Sequence, residues 1–216
     1  MAESTILCIL AGGRSSRFGS SKLHLHMDGR PILTHIAHRL RGPLRAGCWL
    51  SIAPAAEQPP GAGGFDRIVR DTRPHAGPLA GMIDVLDAAA RWPSCEQVVF
   101  VPADMPLLTP VQVGRLVVAL RRHPHAVGVM AQSAGSRVQP LPCAMRVRPG
   151  RDLLRAAWAQ GVRGPHRLAQ RSTVLRVALC GEADRTAYSN INRPGDLALV
   201  EQTYRVTMQA NEPSRP

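Results

Sequence analysis

The run Leu10-Ala11-Gly12-Gly13-Arg14-Ser15-Ser16-Arg17-Phe18-Gly19-Ser20-Ser21-Lys22 gathers glycines, hydroxyls and three cations in one loop. Glycines let backbone amides approach an anion, and cations neutralise its charge, so the joint occurrence suits polyphosphate better than a mere turn with solvated arginines. Neither of the commonest nucleotide loops is present. A dinucleotide fingerprint needs Gly-x-Gly-x-x-Gly and a P-loop needs Gly-Lys-Ser/Thr, whereas Lys22 stands between Ser21 and Leu23. Lys22 is also the one lysine among 27 basic residues. Downstream, Asp104 lies between Pro102 and Pro106 behind the apolar run Val98-Val99-Phe100-Val101. A carboxylate at a strand end suits Mg²⁺, which takes one or two protein carboxylates plus phosphate oxygens and water, and it equally suits a turn. The convergent glycine loop favours the metal. Asp71 in Arg70-Asp71-Thr72 reads as a turn or capping residue, and Asn190 with Asn192 as an Asx turn ahead of a helix near Pro194. The pairs His24-x-His26 and His123-x-His125 have a spacing sometimes used for metals, but no Asp, Glu or Cys completes a set close by, which favours solvated side chains.

Strands alternating with helices over the first ~120 residues must position these groups. Thr5 to Ala11 reads as a buried strand, Ile32 to Leu40 as a helix behind Pro31, and Cys48 to Ala53 as a second strand. The loop Pro54 to Phe65 leads to a third strand, Arg67 to Val69, and a helix from Leu79 to Ala90. Gln97 to Val101 is a fourth strand, followed by a helix from Pro110 to about Arg121. In a parallel sheet the loops leaving the carboxyl ends of the strands open on one edge, so the glycine loop, Asp71 and Asp104 should converge there. The second half is less regular. It offers strands at Val127 to Met130, Val138 to Val147 and Val174 to Leu179, and helices at Asp152 to Ala159 and Asp196 to Tyr204.

The first loop resembles the nucleotidyltransferase signature Leu-Ala-Gly-Gly-x-x-x-Arg-x-Gly-x-x-Lys at every fixed position. Within that superfamily the chain resembles the molybdenum cofactor guanylyltransferases. Gly77-Pro78-Leu79-Ala80-Gly81, Pro102-Ala103-Asp104-Met105-Pro106, Gln139-Pro140-Leu141 and Asn190-Ile191-Asn192-Arg193-Pro194 follow in the expected order. The resemblance covers Leu7 to about Leu197. It implies a three-layer α/β fold, a mostly parallel sheet with helices on both faces. The implied reaction moves GMP from GTP to the terminal phosphate of molybdenum-molybdopterin and releases pyrophosphate.

On that resemblance Asp104 holds Mg²⁺. Lys22, Arg17 and the amides of Gly12 and Gly13 neutralise phosphate, and Leu10 and Ala11 meet the base through their backbone. Asp71 becomes a nucleotide ligand, and Asn190 and Asn192 become acceptor or phosphate contacts. The implied partners are GTP, molybdenum-molybdopterin and the molybdoenzyme apoproteins, or their chaperones, that receive the product. Two departures stand out. Ala53, followed by Pro54, occupies the position where Asn often contacts nucleotide, and Ala103 replaces the usual Cys before the retained carboxylate. Alternatives remain open: a cytidylyltransferase for the same cofactor, a transferase acting on a sugar or alcohol phosphate, or a non-catalytic basic protein binding nucleotide or nucleic acid.

Composition narrows the rest. The chain has 216 residues, a formal charge of +12 and 44% hydrophobic residues, enough for one domain with a real core. We expect that domain over residues 1–208 with a frayed tail over 209–216. Gly plus Pro is 38 of 216 without a period, which excludes collagen. No apolar run nears the roughly 20 residues that span a bilayer. The start lacks a basic segment ahead of its apolar stretch, so a cytoplasmic protein with no membrane partner is expected. Aromatics are only 4% and the arginines are scattered, which argues against nucleic acid as a partner. Five dispersed cysteines without a Cys-x-x-Cys pair read as buried thiols.

Overall fold

In the computed structural model of the chain, the described residues are 4–12, 22–41, 47–74, 76–132, 138–179 and 181–210. β1 (Ser4–Leu10) leads through a short hairpin of β2 (His26–Met27) and β3 (Arg30–Pro31) into α1 (Ile32–Leu40). Then come β4 (Cys48–Ile52), β5 (Arg67–Arg70), α2 (Pro78–Ala89), β6 (Cys95–Pro102) and α3 (Pro110–Arg122). The second half supplies β7 (Gly128–Gln132), β8 (Val138–Arg146), α4 (Val147–Ala159), β9 (Val174–Ala178), α5 (Gly181–Ala187) and α6 (Pro194–Ala210). Seven strands form one sheet in the order β5-β4-β1-β6-β8-β7-β9, and β8 alone among them runs against its neighbours. This is the mostly parallel sheet with helices on both faces that the sequence leads one to expect.

The two-residue period of a strand divides each central strand between two cores. Leu7 and Ile9 of β1, with Val99 and Val101 of β6, pack under residues of α1 and α3. Ile6 and Cys8, with Val98 and Phe100, pack under α2 and α4. Both faces are covered, so these strands read as unbroken apolar runs. Thr109 caps α3 by accepting from the Val111 amide, and Gln112 reaches back to the Thr109 amide to complete a capping box. Four of the five cysteines are buried free thiols, as expected, and burial pushes Cys48 and Cys143 up to about 12. Cys180 lies outside the described residues.

Several elements differ from the sequence expectation. The stretch after the glycine loop contains the β2–β3 hairpin, whose turn is Asp28-Gly29 with both residues at positive φ, a recognised hairpin signal that the surrounding polar residues obscure. α4 begins at Val147 rather than Asp152, directly from the end of β8. α5 was not anticipated. It seats Asp184, only 1% exposed, where Arg115 and Gln112 of α3 both donate to its carboxylate. α6 runs on to Ala210, past Tyr204, and residues 211–216 of the expected tail lie outside the described residues. Among the described residues no helix is long and apolar enough to cross a membrane.

Phe100 is fully buried in the centre of the sheet. Phe100→Ala should cost about 3–5 kcal/mol, read as a lower midpoint in denaturant unfolding at unchanged slope. A loss below about 1 kcal/mol would mean that the two-faced packing does not carry the fold.

Candidate active site

The parallel half of the sheet delivers its chemistry to one edge. Beyond the regular strands the ladders continue: the Ala11 amide donates to the Ser51 carbonyl at 2.8 Å, Asp71 to Ile52 at 2.9 Å, and Ala103 to Leu10 at 3.1 Å. These bonds bring the ends of β1, β4, β5 and β6 together. The cleft they form is lined by Leu10, Ala11, Gly12, Lys22, Ser51, Asp71 and Asp104, among others, and has a volume of about 210 Å³.

Asp71 forms its buried wall. The Ser51 hydroxyl donates to Asp71 Oδ1 at 2.8 Å. A Cβ on Gly12 would lie 2.7 Å from Asp71 Oδ2, and one on Gly81 would lie 2.8 Å from both Asp71 Oδ1 and Ser51 Oγ. A side chain at either position would displace the Asp71 carboxylate, so the first glycine of the loop and the last of Gly77-Pro78-Leu79-Ala80-Gly81 make room for the same group. Burial pushes Asp71 up to about 6, opposed by the Ser51 hydrogen bond and reinforced by the Asp84 charge. Asp84 in turn accepts from the Thr72 amide and hydroxyl, which fixes the chain as it leaves Asp71.

On the opposite side Lys22 Nζ lies 3.3 Å from Asp104 Oδ2, with the two side chains 19% and 30% exposed. The pair bridges the end of the glycine loop and the end of β6, so each charge is compensated while remaining open to the cleft. Lys22 also opens a short 3₁₀ turn, Lys22–His24, that feeds the β2–β3 hairpin. The segment bearing Asn190 and Asn192 reaches the same turn from the far end of the chain, because the Ile191 amide donates to the Asp104 carbonyl at 2.9 Å. Asn190 and Asn192 are exposed there. The turn before α6 is closed by Asp196, which accepts from the amides of Asn192 and Arg193, and those bonds hold its carboxyl below the usual range.

Leu10, Ala11, Gly12, Lys22, Asp71 and Asp104 are thus brought together, with the Asn190 and Asn192 segment tied to the Asp104 turn. Gly13 and Arg17 lie outside the described residues. Neither histidine pair joins a metal cluster, and no group of three His, Cys, Asp or Glu that could hold a metal occurs among the described residues. Ser51 was missed by the sequence reading. Its signal was a single hydroxyl in the otherwise apolar, fully buried strand Cys48–Ile52. Ala53, where the resemblance leads one to look for Asn, brings only its backbone near Gly12.

The raised Asp71 value has a sign that can be tested. Between the ordinary carboxylate value near 4 and about 6, the folded state binds a proton that the unfolded chain has lost, so stability falls as pH rises through that window. Asp71→Asn should therefore raise Tm at pH 7.5 by at least about 2 °C, with little gain at pH 4. A gain of equal size at both pH values would refute the buried-charge cost.

Known proteins resemble the chain in sequence and in fold. The MobA-like NTP transferase domain family matches residues 7–176. The molybdenum cofactor guanylyltransferase of Cereibacter sphaeroides is 32% identical over 202 residues, covering 91% of this chain and 95% of that protein. Among solved structures, the molybdopterin-guanine dinucleotide biosynthesis protein A of Archaeoglobus fulgidus superposes with a TM-score of 0.69 at 18% identity, covering 93% of this chain and 99% of that one. The 2-C-methyl-D-erythritol 4-phosphate cytidylyltransferase of Thermus thermophilus gives 0.65 at 20% identity, with 92% and 98% covered. At such identities the two structures establish the fold, and the family match over most of the sequence establishes the rest: the chain belongs to the MobA-like NTP transferases.

Proposed function

We propose that this chain transfers GMP from GTP to the terminal phosphate of molybdenum-molybdopterin, as a single nucleotidyltransferase domain over residues 1–208 acting in the cytoplasm. The Lys22–Asp104 pair across the cleft mouth carries the reading, because it sets a cation and a metal-binding carboxylate side by side at the end of a phosphate-type loop. The full-length relative in Cereibacter sphaeroides carries the name of that activity, which supports the same assignment.

An oxygen of the acceptor phosphate attacks the α-phosphorus of GTP. The bond from that phosphorus to the bridging oxygen breaks, and pyrophosphate leaves with the electron pair. The nucleophile is already anionic, so no side chain has to remove a proton, and catalysis reduces to assembling two polyanions and stabilising the departing charge. Lys22, with Arg17 from the loop, neutralises the β and γ phosphates, and the Gly12 and Gly13 amides add hydrogen bonds. Leu10 and Ala11 present backbone groups to the base. Asp71, ionised above pH 6, is an acceptor in the same cleft, suited to the adjacent N–H donors of guanine. Asn190 and Asn192, tied to the Asp104 turn, serve the acceptor phosphate.

A single hard carboxylate, partly exposed and free of any His or Cys cluster among the described residues, fits Mg²⁺, which completes its shell with phosphate oxygens and water. Asp104 would hold Mg²⁺ there, and the ion would supply charge neutralisation to the phosphates. The product would pass to molybdoenzyme apoproteins or their chaperones, with no role for nucleic acid or membrane.

Lys22→Ala should lower kcat by at least about tenfold with a smaller rise in KM, since a charge aimed at the leaving group acts mainly on the transition state. Asp104→Asn should abolish Mg²⁺-dependent pyrophosphate release while leaving weak GTP binding. Wild-type kcat in the first variant, or wild-type metal dependence in the second, removes that residue from the mechanism.

The shared fold of guanylyl- and cytidylyltransferases leaves base choice to the site. A pocket matched to guanine leaves its polar groups unpaired when cytosine enters. We expect kcat/KM for GTP to exceed that for CTP, by a margin reduced through the missing side-chain contact at Ala53. A ratio at or below unity would overturn the guanylyl assignment and leave the nucleotidyltransferase standing.

A further inference from the structure

The turn that carries Asp104 runs from the end of β6 to Thr109, and it is held at both ends. Its first half is anchored by backbone bonds: Ala103 to Leu10, and Ile191 to the Asp104 carbonyl. Its second half is held by side chains of α1. Arg39 Nε donates to the Leu108 carbonyl at 2.9 Å, and the buried His35 imidazole lies against the Pro106 carbonyl. Both α1 side chains converge on one ring of α6. Tyr204 stands edge-on to His35 with centroids 4.8 Å apart, and the Arg39 guanidinium lies over the same ring at 5.2 Å.

Packing alone does not account for this arrangement. Arg39 is a half-buried guanidinium whose desolvation disfavours its charge, with Tyr204 compensating part of that cost. Among the described residues, His35 Nε2 is buried without a hydrogen-bond partner. An apolar pair would fill the same space between α1, the turn and α6 at lower cost. What an apolar pair could not do is grip two carbonyls of the turn. The Leu107 and Leu108 side chains are buried beside those carbonyls, so the turn is clamped both by packing and by directional bonds.

We propose that Arg39 and Tyr204 are positioning residues that hold Asp104 at the cleft: Arg39 fixes the far end of its turn through the Leu108 carbonyl, and Tyr204 orients Arg39 and His35. This rests on the assignment of Asp104 to nucleotidyl transfer. It gives α6, which lies beyond the residue at which the family match ends, a specific part in a site built mainly from the first half of the chain. A carboxylate that must meet a metal and two sets of phosphates tolerates little displacement, and a misplacement of about 1 Å can cost on the order of a hundredfold in rate.

The experiment compares Arg39→Met, Tyr204→Ala, the double variant, and the conservative Tyr204→Phe and Arg39→Lys in the full chain. It measures kcat and KM for GTP, the Mg²⁺ concentration at half-maximal rate, and amide hydrogen exchange over residues 103–109. Arg39→Met and Tyr204→Ala should each lower kcat by about tenfold with KM for GTP within about threefold. They should also raise the Mg²⁺ requirement and speed exchange in that segment. Tyr204→Phe keeps the ring and should retain most of the activity, and Arg39→Lys keeps a donor and should recover part of it. The double variant should be no worse than the less active single, because Arg39 acts downstream of Tyr204 on the same turn. Additive losses, or slower turnover without faster exchange at 103–109, would overturn the proposal, as would wild-type kcat in both single variants. If the wild-type chain released no pyrophosphate from any nucleotide, the proposed activity would fall instead. The exchange comparison would still decide whether Arg39 and Tyr204 hold the turn.

Discussion

The site depends on β1 being hydrogen-bonded on both sides by parallel strands. With β4 on one edge and β6 on the other, the three chains leave the sheet in the same direction and at nearly the same height. The extra bonds from Ala11 to Ser51 and from Ala103 to Leu10 carry that alignment one step past the strands, where the chemistry begins. A register slip of one residue would invert every side chain of β1 and exchange its two cores. The burial that enforces the register therefore also places Gly12, Asp71 and Asp104 around one cleft.

Two electrostatic strategies operate within one cleft. Asp71 is sunk between two glycines with a single hydroxyl donor, and burial raises its proton affinity at the expense of stability near neutral pH. Asp104 is kept partly exposed and faces Lys22, so its charge is balanced without being buried. The first arrangement makes a stiff acceptor that water reaches poorly. The second leaves two mutually neutralised charges facing the cleft. A protein stabilised for its own sake would avoid the first.

The late chain closes what the early chain builds. β8 enters antiparallel between β6 and β7, brings Leu141 to the cleft and starts α4 directly at its end. The Ile191 amide then bonds to the Asp104 carbonyl, and the Tyr204 ring meets the His35 and Arg39 side chains that reach the same turn. The charge of +12 finds local outlets in pairs such as Arg115 with Asp184, Arg41 with Asp66 and Arg155 with Asp87. The last two are solvent-exposed and contribute little to stability, whereas the first ties α3 to α5 through a buried carboxylate.

What the sequence by itself determined is the local grammar: apolar runs ended by glycine or proline, helices at 3.6-residue spacing, and a loop whose glycines and cations suit phosphate. These signals are short-range, and they sufficed for the α/β class, the strand-end edge, and Lys22 and Asp104 as candidates, whereas Asp71 became a ligand candidate only through the family resemblance. The tertiary structure decided everything that required two distant segments to meet. Ser51 meets Asp71 only because β5 pairs with β4 and its chain leaves the sheet beside that strand. Gly12 and Gly81 share one carboxylate although they are far apart in the chain. Arg39 and Tyr204 lie on α1 and α6, and only the packing of those helices brings them together. Side-chain periodicity reports which face of an element is buried but not what lies across from it, and a cleft is defined by what lies across.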